Sequence, residues 1–449
     1  MVHSARQNAR ELTGWPFESA LGSAMQRQAG AIRRVGSLSR SRRRVGLWGD
    51  APNLRDEQVV QPRRRMNSHD AGGDCGRSWC TYRVVAHLVF EAAVDFEFGK
   101  QRAPAERSSC CRRRVAEPRQ VAVPPSGVWP GVELDLPADL FRPRVPAITF
   151  YGDGDDLCLD AQAQYYRYLS TTGLAGLVIL GTNAEAFLLT ADERRTLIAT
   201  ARKAVGPDFP IMAGCGAHST KQVLGHIKDA AGAGANYALV LPPAYFGNAS
   251  TPAVVERFFD SVAARSPLPI VMYNFPGVCN GVDLDSDLIT RLALKHENIV
   301  GVKLTCGSVA KITRLSAVLP KERFATFGGQ SDFLLGALAS GAAGCIAAFA
   351  NVAPRVVVKI YDLYQSGEKE EALKLHQRAA LAEQPCKLGI AATKYAAAIY
   401  TGKRAGIESV EKLAKPREPY PEPSEAVKKT IRETMAEIQQ VESRVVESG

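Results

Sequence analysis

From about Val145 onward, apolar runs of five to ten residues alternate with segments of helical spacing. "PAITFY" (146–151) precedes a helical pattern over 161–170, and "LAGLVILG" (174–181) precedes "TADERRTLIATARKAV". In the latter, Thr190 and Glu193 have the spacing of a capping box. "FPIMAGCG" (209–216) precedes "STKQVLGHIKDAAGAG", where Ser219 and Gln222 are spaced alike. "NYALVLP" (236–242) precedes "TPAVVERFFDSVAAR", with Thr251 as N-cap and Pro252 at the first helical position. "LPIVMYNF" (268–275), "NIVGVKLT" (298–305), "RFATFGG" (323–329) and "AGCIAAFAN" (343–351) continue the series. Their helices are predicted near 285–295, 308–318, 331–340 and 354–366.

The strand segments are apolar on both faces, as parallel strands covered by helices should be. Eight strand–helix units predict an α/β protein folded as a closed (β/α)8 TIM barrel over 145–366. A doubly wound open sheet is the competing architecture. It would require a Gly-rich phosphate turn after the first strand, and the sequence has none there. Three further helical stretches, 368–384, 387–400 and 423–446, predict a C-terminal helical extension over 367–449.

Residues 1–140 have poor hydrophobic periodicity, with "TYRVVAHLVFEAAV" (81–94) a short exception. Of 22 basic residues there, 21 are Arg, in clusters such as "SRRRVG" and "CCRRRV". The segment reads as largely disordered. Its first 49 residues hold nine Arg against Glu11 and Glu18, a bias compatible with a mitochondrial transit peptide. A solvated tail is the other reading.

The net charge of +10 belongs mainly to this segment, because residues 141–449 carry 34 basic and 31 acidic side chains. That balance, with no folded motif or aromatic interleaving in the Arg-rich part, argues against a nucleic-acid binder. No apolar run reaches the roughly 18 residues of a membrane span. The ten Cys form no CxxC pair, which predicts reduced, intracellular thiols and a cytoplasmic location, with mitochondria as the alternative. The predicted barrel region and its extension hold His218, His226, His296 and His376 at no metal-ligand spacing. No metal and no other cofactor is therefore expected. His218, in the loop after the third strand, reads more as a solvated helix start than as a substrate contact.

In a (β/α)8 barrel the chemistry sits at the C-terminal ends of the strands. Lys303 lies in the middle of the apolar strand "NIVGVKLTCG" (298–307). By period-two alternation Ile299, Gly301, Lys303 and Thr305 share a face. If that face points inward, burial disfavours the ammonium and favours an amine able to attack a ketone. The competing reading is a lysine that snorkels out or pairs with a carboxylate. Tyr273 ends the preceding strand, which makes it a lateral neighbour of Lys303 and a candidate proton carrier. Thr182 and Asn183 follow the second strand and offer a hydroxyl and an amide suited to a carboxylate; a plain turn is the alternative.

"GTNAEAFLLTADER", "PPAYFG", "PIVMYNFP" and "NIVGVKLTCG", in this order, resemble the dihydrodipicolinate synthase and N-acetylneuraminate lyase family of pyruvate-dependent class I aldolases. The resemblance spans about 145–405. It implies that Lys303 forms the Schiff base and that Tyr273 relays protons. Thr182 would link Tyr273 to a second tyrosine, Tyr245, which is lent by a neighbouring subunit. It further implies substrate contacts at Gly181, Thr182, Asn183 and the backbone near Ile346. The synthases carry an Arg two residues after the Pro of their Tyr-Asn-x-Pro motif; here Val278 stands there. Without that anion clamp the chain looks closer to the 4-hydroxy-2-oxoglutarate aldolases and the fungal 2-keto-3-deoxy-sugar-acid aldolases. The expected reaction is reversible cleavage of a 4-hydroxy-2-oxo acid to pyruvate and an aldehyde, by a homo-oligomer with a small 2-oxo acid as partner. Condensation of pyruvate with aspartate semialdehyde is the alternative.

Overall fold

The computed structural model describes residues 140–447. The expectations for residues 1–139 lie outside the described residues.

Eight strands form one parallel sheet in sequence order, β1 (Val145–Pro146), β2 (Leu177–Ile179), β3 (Ile211–Gly214), β4 (Tyr237–Val240), β5 (Ile270–Asn274), β6 (Ile299–Leu304), β7 (Ala325–Gly328) and β8 (Gly344–Cys345). A parallel bridge between Arg144 and Ile346, with Arg144 N–H donating to Cys345 O at 2.8 Å, brings the two edges together. The sheet is the expected TIM barrel.

Helices cover the outside of the strands. They are α1 (Leu159–Ser170), α2 (Ala191–Val205), α3 (Thr220–Gly232), α4 (Pro252–Ala263), α5 (Ser286–Lys295), α6 (Val309–Val318), α7 (Leu334–Ala339) and α8 (Pro354–Gln365). Beyond them lie α9 (Lys369–Cys386), α10 (Ile390–Ala397), α11 (Val410–Leu413) and α12 (Glu425–Glu447). The start of α2 is a complete capping box, with Thr190 and Glu193 satisfying each other's backbone N–H groups, an arrangement in which loss of the Thr cap costs about 1 kcal/mol. At α3 only the Ser219 half forms, its hydroxyl accepting from Gln222 N–H. Thr251 caps α4 with Pro252 in its first turn, as the spacing predicts.

Two predicted strands are shorter than their apolar runs. After Ala147 the backbone donors go elsewhere: Ile148 N–H to Asn351 Oδ1, Phe150 N–H to Gln162 Oε1 and Tyr151 N–H to Leu413 O. Ala147 N–H still donates to Val178 O of β2 at 3.0 Å, but 148–151 is buried chain outside the parallel ladder. The run 343–351 likewise gives only β8, and then turns through Ala348–Asn351.

A packed interior layer of Val178, Met212, Leu239, Val271, Phe327 and Ile346 fills the barrel. A second, larger core lies between strands and helices. The predicted face of β6 is corrected here. The β5–β6 register jumps, Ile270 pairing with Ile299 but Val271 with Gly301. This bulge puts Val300 into the interior layer and Ile299 into the outer core.

Candidate active site

Lys303 and Tyr273 are direct partners across the β5–β6 ladder. Both are 3% exposed, so neither snorkels to bulk water. Lys303 Nζ makes no hydrogen bond and no ion pair with any described residue; its close neighbour is the Tyr273 ring, with the centroid at 4.3 Å. Gly301, two residues earlier, is required by the approach of β7: a Cβ there would sit 2.4 Å from Ala325 O.

The Tyr273 hydroxyl lies 3.3 Å from Thr182 Oγ1. Thr182 opens a turn, Thr182–Ala184, that follows β2. Two non-glycine residues with positive φ, Leu180 (64°) and Glu185 (55°), bracket that turn. Such conformations cost energy and persist where the surroundings fix them. Here the fixing is visible on one side: Glu185 is buried, its Oε2 accepting from Lys394 Nζ at 2.6 Å and its Oε1 from Arg417 N–H at 2.8 Å. The Asn of the Tyr-Asn-x-Pro motif is structural. Asn274 is fully buried, donates to Asp283 Oδ1 and accepts from Leu284 N–H, which pins the loop after β5.

Lys303, Tyr273, Thr182 and Asn183 line one cavity of about 260 Å³ at the C-terminal end of the barrel. Its outer wall comes from the chain beyond the barrel, through Lys387, Gly389, Ile390 and Thr393. Gly181 is buried at the root of the Thr182 turn. Ile346 belongs to the interior layer, with its N–H donated to Gly328 O at 2.8 Å, and its side chain is not on the cavity wall. Tyr245 is not brought to Thr182 within one chain. It is 71% exposed and packs on His218 and Phe246, at centroid distances of 5.8 and 5.2 Å. His218 accepts from Ala244 N–H and lines a neighbouring cleft rather than the Lys303 cavity.

Sequence reasoning did not single out Thr305, Gly329, Gln330 and Lys387 as cavity residues. Thr305 shares the Lys303 face, and its buried Oγ1 has no hydrogen-bond partner among the described residues. Gly329 lies against it so closely that a Cβ would sit 2.0 Å from that oxygen. The signal for Thr305 was present, since period two from Lys303 reaches it. Gln330 follows the C-terminal end of β7, where a barrel places its chemistry; for Lys387 no local signal exists, and only the fold carries it to the cavity.

Val278, 45% exposed, lines the cavity two residues after the Pro of the Tyr-Asn-x-Pro motif, an apolar side chain that offers no anion contact. Lys303 and Lys387 are the two cationic side chains among the lining residues.

Residues 144–438 match the model of the dihydrodipicolinate synthetase family. A Coccidioides immitis protein named "Putative 4-hydroxy-2-oxoglutarate aldolase, mitochondrial" is 62% identical over 322 residues, covering 72% of this chain and 98% of that one. An L-threo-3-deoxy-hexylosonate aldolase of Hypocrea jecorina is 38% identical over 279 residues, covering 60% and 88%. Crystal structures of a Coccidioides immitis protein assigned to the dihydrodipicolinate synthase family are 61% identical, with a TM-score of 0.64, covering 67% of this chain and 96% of that one. With the barrel, the match over 144–438 and these relatives together, the chain belongs to the dihydrodipicolinate synthetase family.

Proposed function

We propose that the protein is a class I aldolase that cleaves a 4-hydroxy-2-oxo acid reversibly to pyruvate and an aldehyde. The observation that carries this reading is a buried lysine without a counter-ion, beside a tyrosine whose hydroxyl meets Thr182, in a cavity of substrate size. The relatives' names give the substrate class: 4-hydroxy-2-oxoglutarate or a 2-keto-3-deoxy sugar acid.

In this mechanism the Lys303 amine adds to the C2 ketone, and loss of water gives a protonated imine. The imine draws electrons from the C3–C4 bond. Tyr273 takes the proton of the C4 hydroxyl, the bond breaks, and the aldehyde leaves. The resulting enamine is protonated at C3, and water hydrolyses the imine to release pyruvate and regenerate Lys303. Asn183 and the Thr182 turn hold the C1 carboxylate. Tyr245, exposed in the single chain, completes the relay from a neighbouring subunit, so the working form is at least a dimer. On this reading Tyr245→Phe lowers kcat, and sedimentation finds no active monomer.

Condensation with aspartate semialdehyde is the rival reaction. Val278 speaks against it, because the aldehyde's carboxylate would lack a guanidinium partner. The test is a pyruvate-release assay. Turnover of 4-hydroxy-2-oxoglutarate or 2-keto-3-deoxygluconate is expected, with negligible use of aspartate semialdehyde and pyruvate together. The reverse preference would overturn the proposal.

Of the two compartments, the mitochondrion is favoured by the names of the relatives and by the nine Arg among the first 49 residues. Among the described residues no helix is long and apolar enough to cross a membrane.

A further inference from the structure

The far end of the cavity carries a polar cluster separate from the Schiff-base machinery. Lys387 lies in the turn between α9 and α10. Its Nζ donates to Gln330 Oε1 at 2.7 Å and pairs with Asp332, both from the loop after β7. Lys387 and Asp332 side chains are 29% and 28% exposed, so the pair remains open to a ligand. Lys387 and Gln330 line the same cavity as Lys303.

We propose that this cluster is the specificity-determining subsite for the distal end of the oxo acid, and that it selects a hydroxylated, uncharged tail over a carboxylate. The inference rests on the aldolase reading and deepens it to a 3-deoxy-2-oxo sugar acid. Three features support it. Asp332 already neutralises Lys387, so the cluster offers no free positive charge. A carboxylate tail can only accept hydrogen bonds, and would meet a lysine whose charge Asp332 already offsets. A hydroxyl both donates and accepts, and so can share Lys387 as donor with Gln330 as acceptor. Val278, Phe275 and Ile390 add apolar wall to the cavity, and Lys303 and Lys387 are its two cationic side chains.

The experiment compares kcat/KM for 2-keto-3-deoxygluconate and its C4 epimer with that for 4-hydroxy-2-oxoglutarate, in wild type, Lys387→Met and Asp332→Asn. Wild type should favour one of the sugar acids by about tenfold or more. Lys387→Met should lower kcat/KM for that sugar acid about tenfold, mainly through KM, with a much smaller effect on the dicarboxylate. Asp332→Asn should free the lysine charge and raise kcat/KM for the dicarboxylate about tenfold. Thermal melting of both variants verifies that they are folded. A wild type that prefers 4-hydroxy-2-oxoglutarate, or a substrate ratio unmoved in both folded variants, overturns the subsite. Borohydride trapping of pyruvate on wild-type Lys303 separates the two levels: an adduct with an unmoved ratio rejects the subsite alone, and no adduct rejects the aldolase reading with it.

Discussion

Lys303 and Tyr273 face each other as ladder partners on β6 and β5, with the lysine Nζ 4.3 Å from the centre of the tyrosine ring. The tyrosine hydroxyl lies 3.3 Å from Thr182 Oγ1, so β6, β5 and the turn after β2 bring an amine, a phenol and a hydroxyl to one cavity. Backbone register alone fixes the first of these contacts, and rigid elements position reacting groups better than loops do.

If Tyr273 carries the proton, Tyr273→Phe keeps the ring against Lys303 and removes only the hydroxyl. The expected loss in kcat is about 10²- to 10⁴-fold, the usual weight of a positioned acid–base group. Thr182→Val, which removes only the supporting hydroxyl, should cost less, about tenfold. Steady-state cleavage kinetics check both. A Tyr273→Phe enzyme within a few-fold of wild type would assign the proton transfer elsewhere.

Glu383 on α9 predicts a pH dependence of stability. It is 1% exposed and holds the loop after β7, accepting from Ser331 N–H at 3.2 Å and Ser331 Oγ at 2.5 Å. Burial pushes its carboxyl up to about 7, against the opposing pull of the Ser331 hydroxyl. The folded chain therefore keeps a proton that the unfolded chain releases between about 4.5 and 7. The stability this contributes is full below the lower value and is lost as pH rises through the upper one. Glu383→Gln mimics the protonated form at every pH. Its advantage over wild type should grow from pH 5 to pH 8, towards a ceiling of about 3 kcal/mol. Urea unfolding at the two pH values measures this, and a pH-independent difference would contradict it.

The Lys394–Glu185 pair ties α10 to the turn that carries Thr182. Both side chains are essentially fully buried, and Lys394 also donates to Lys415 O at 2.8 Å. Lys394→Met would strand the Glu185 charge inside the protein, at a cost of about 3–5 kcal/mol. Adding Glu185→Gln should recover much of that loss, since neutralising both members removes the buried charge. Chemical denaturation of the single and double variants tests the pair. A single variant that loses under about 1 kcal/mol would show that water reaches the site.

The barrel was legible because parallel strands covered on both sides leave continuous apolar runs, and because helix caps such as Thr190, Ser219 and Thr251 write their starts into the sequence. Lys303 stood out as a charged residue inside such a run, and Tyr273 and Thr182 as polar residues at the ends of others. What local pattern could not reveal was set by tertiary partners. Residues 148–151 read as strand, yet Asn351 and Gln162 take the backbone donors of Ile148 and Phe150. The inward face of β6 was misread at Ile299 because the bulge beside Val300 depends on β5. Lys387 carries no sign of the cavity in its own neighbourhood, because the turn it occupies meets Gln330 only in the folded chain.

The central claim is that Lys303 forms a covalent imine with the substrate ketone. The most direct measurement is borohydride reduction in the presence of pyruvate, followed by peptide mass mapping of the intact enzyme's digest. A stable pyruvate adduct on Lys303 is the predicted result, together with its absence in Lys303→Ala and a loss of cleavage of at least about 10³-fold in that variant. An unmodified Lys303 in active enzyme, or a Lys303→Ala enzyme that still turns over, would contradict the account.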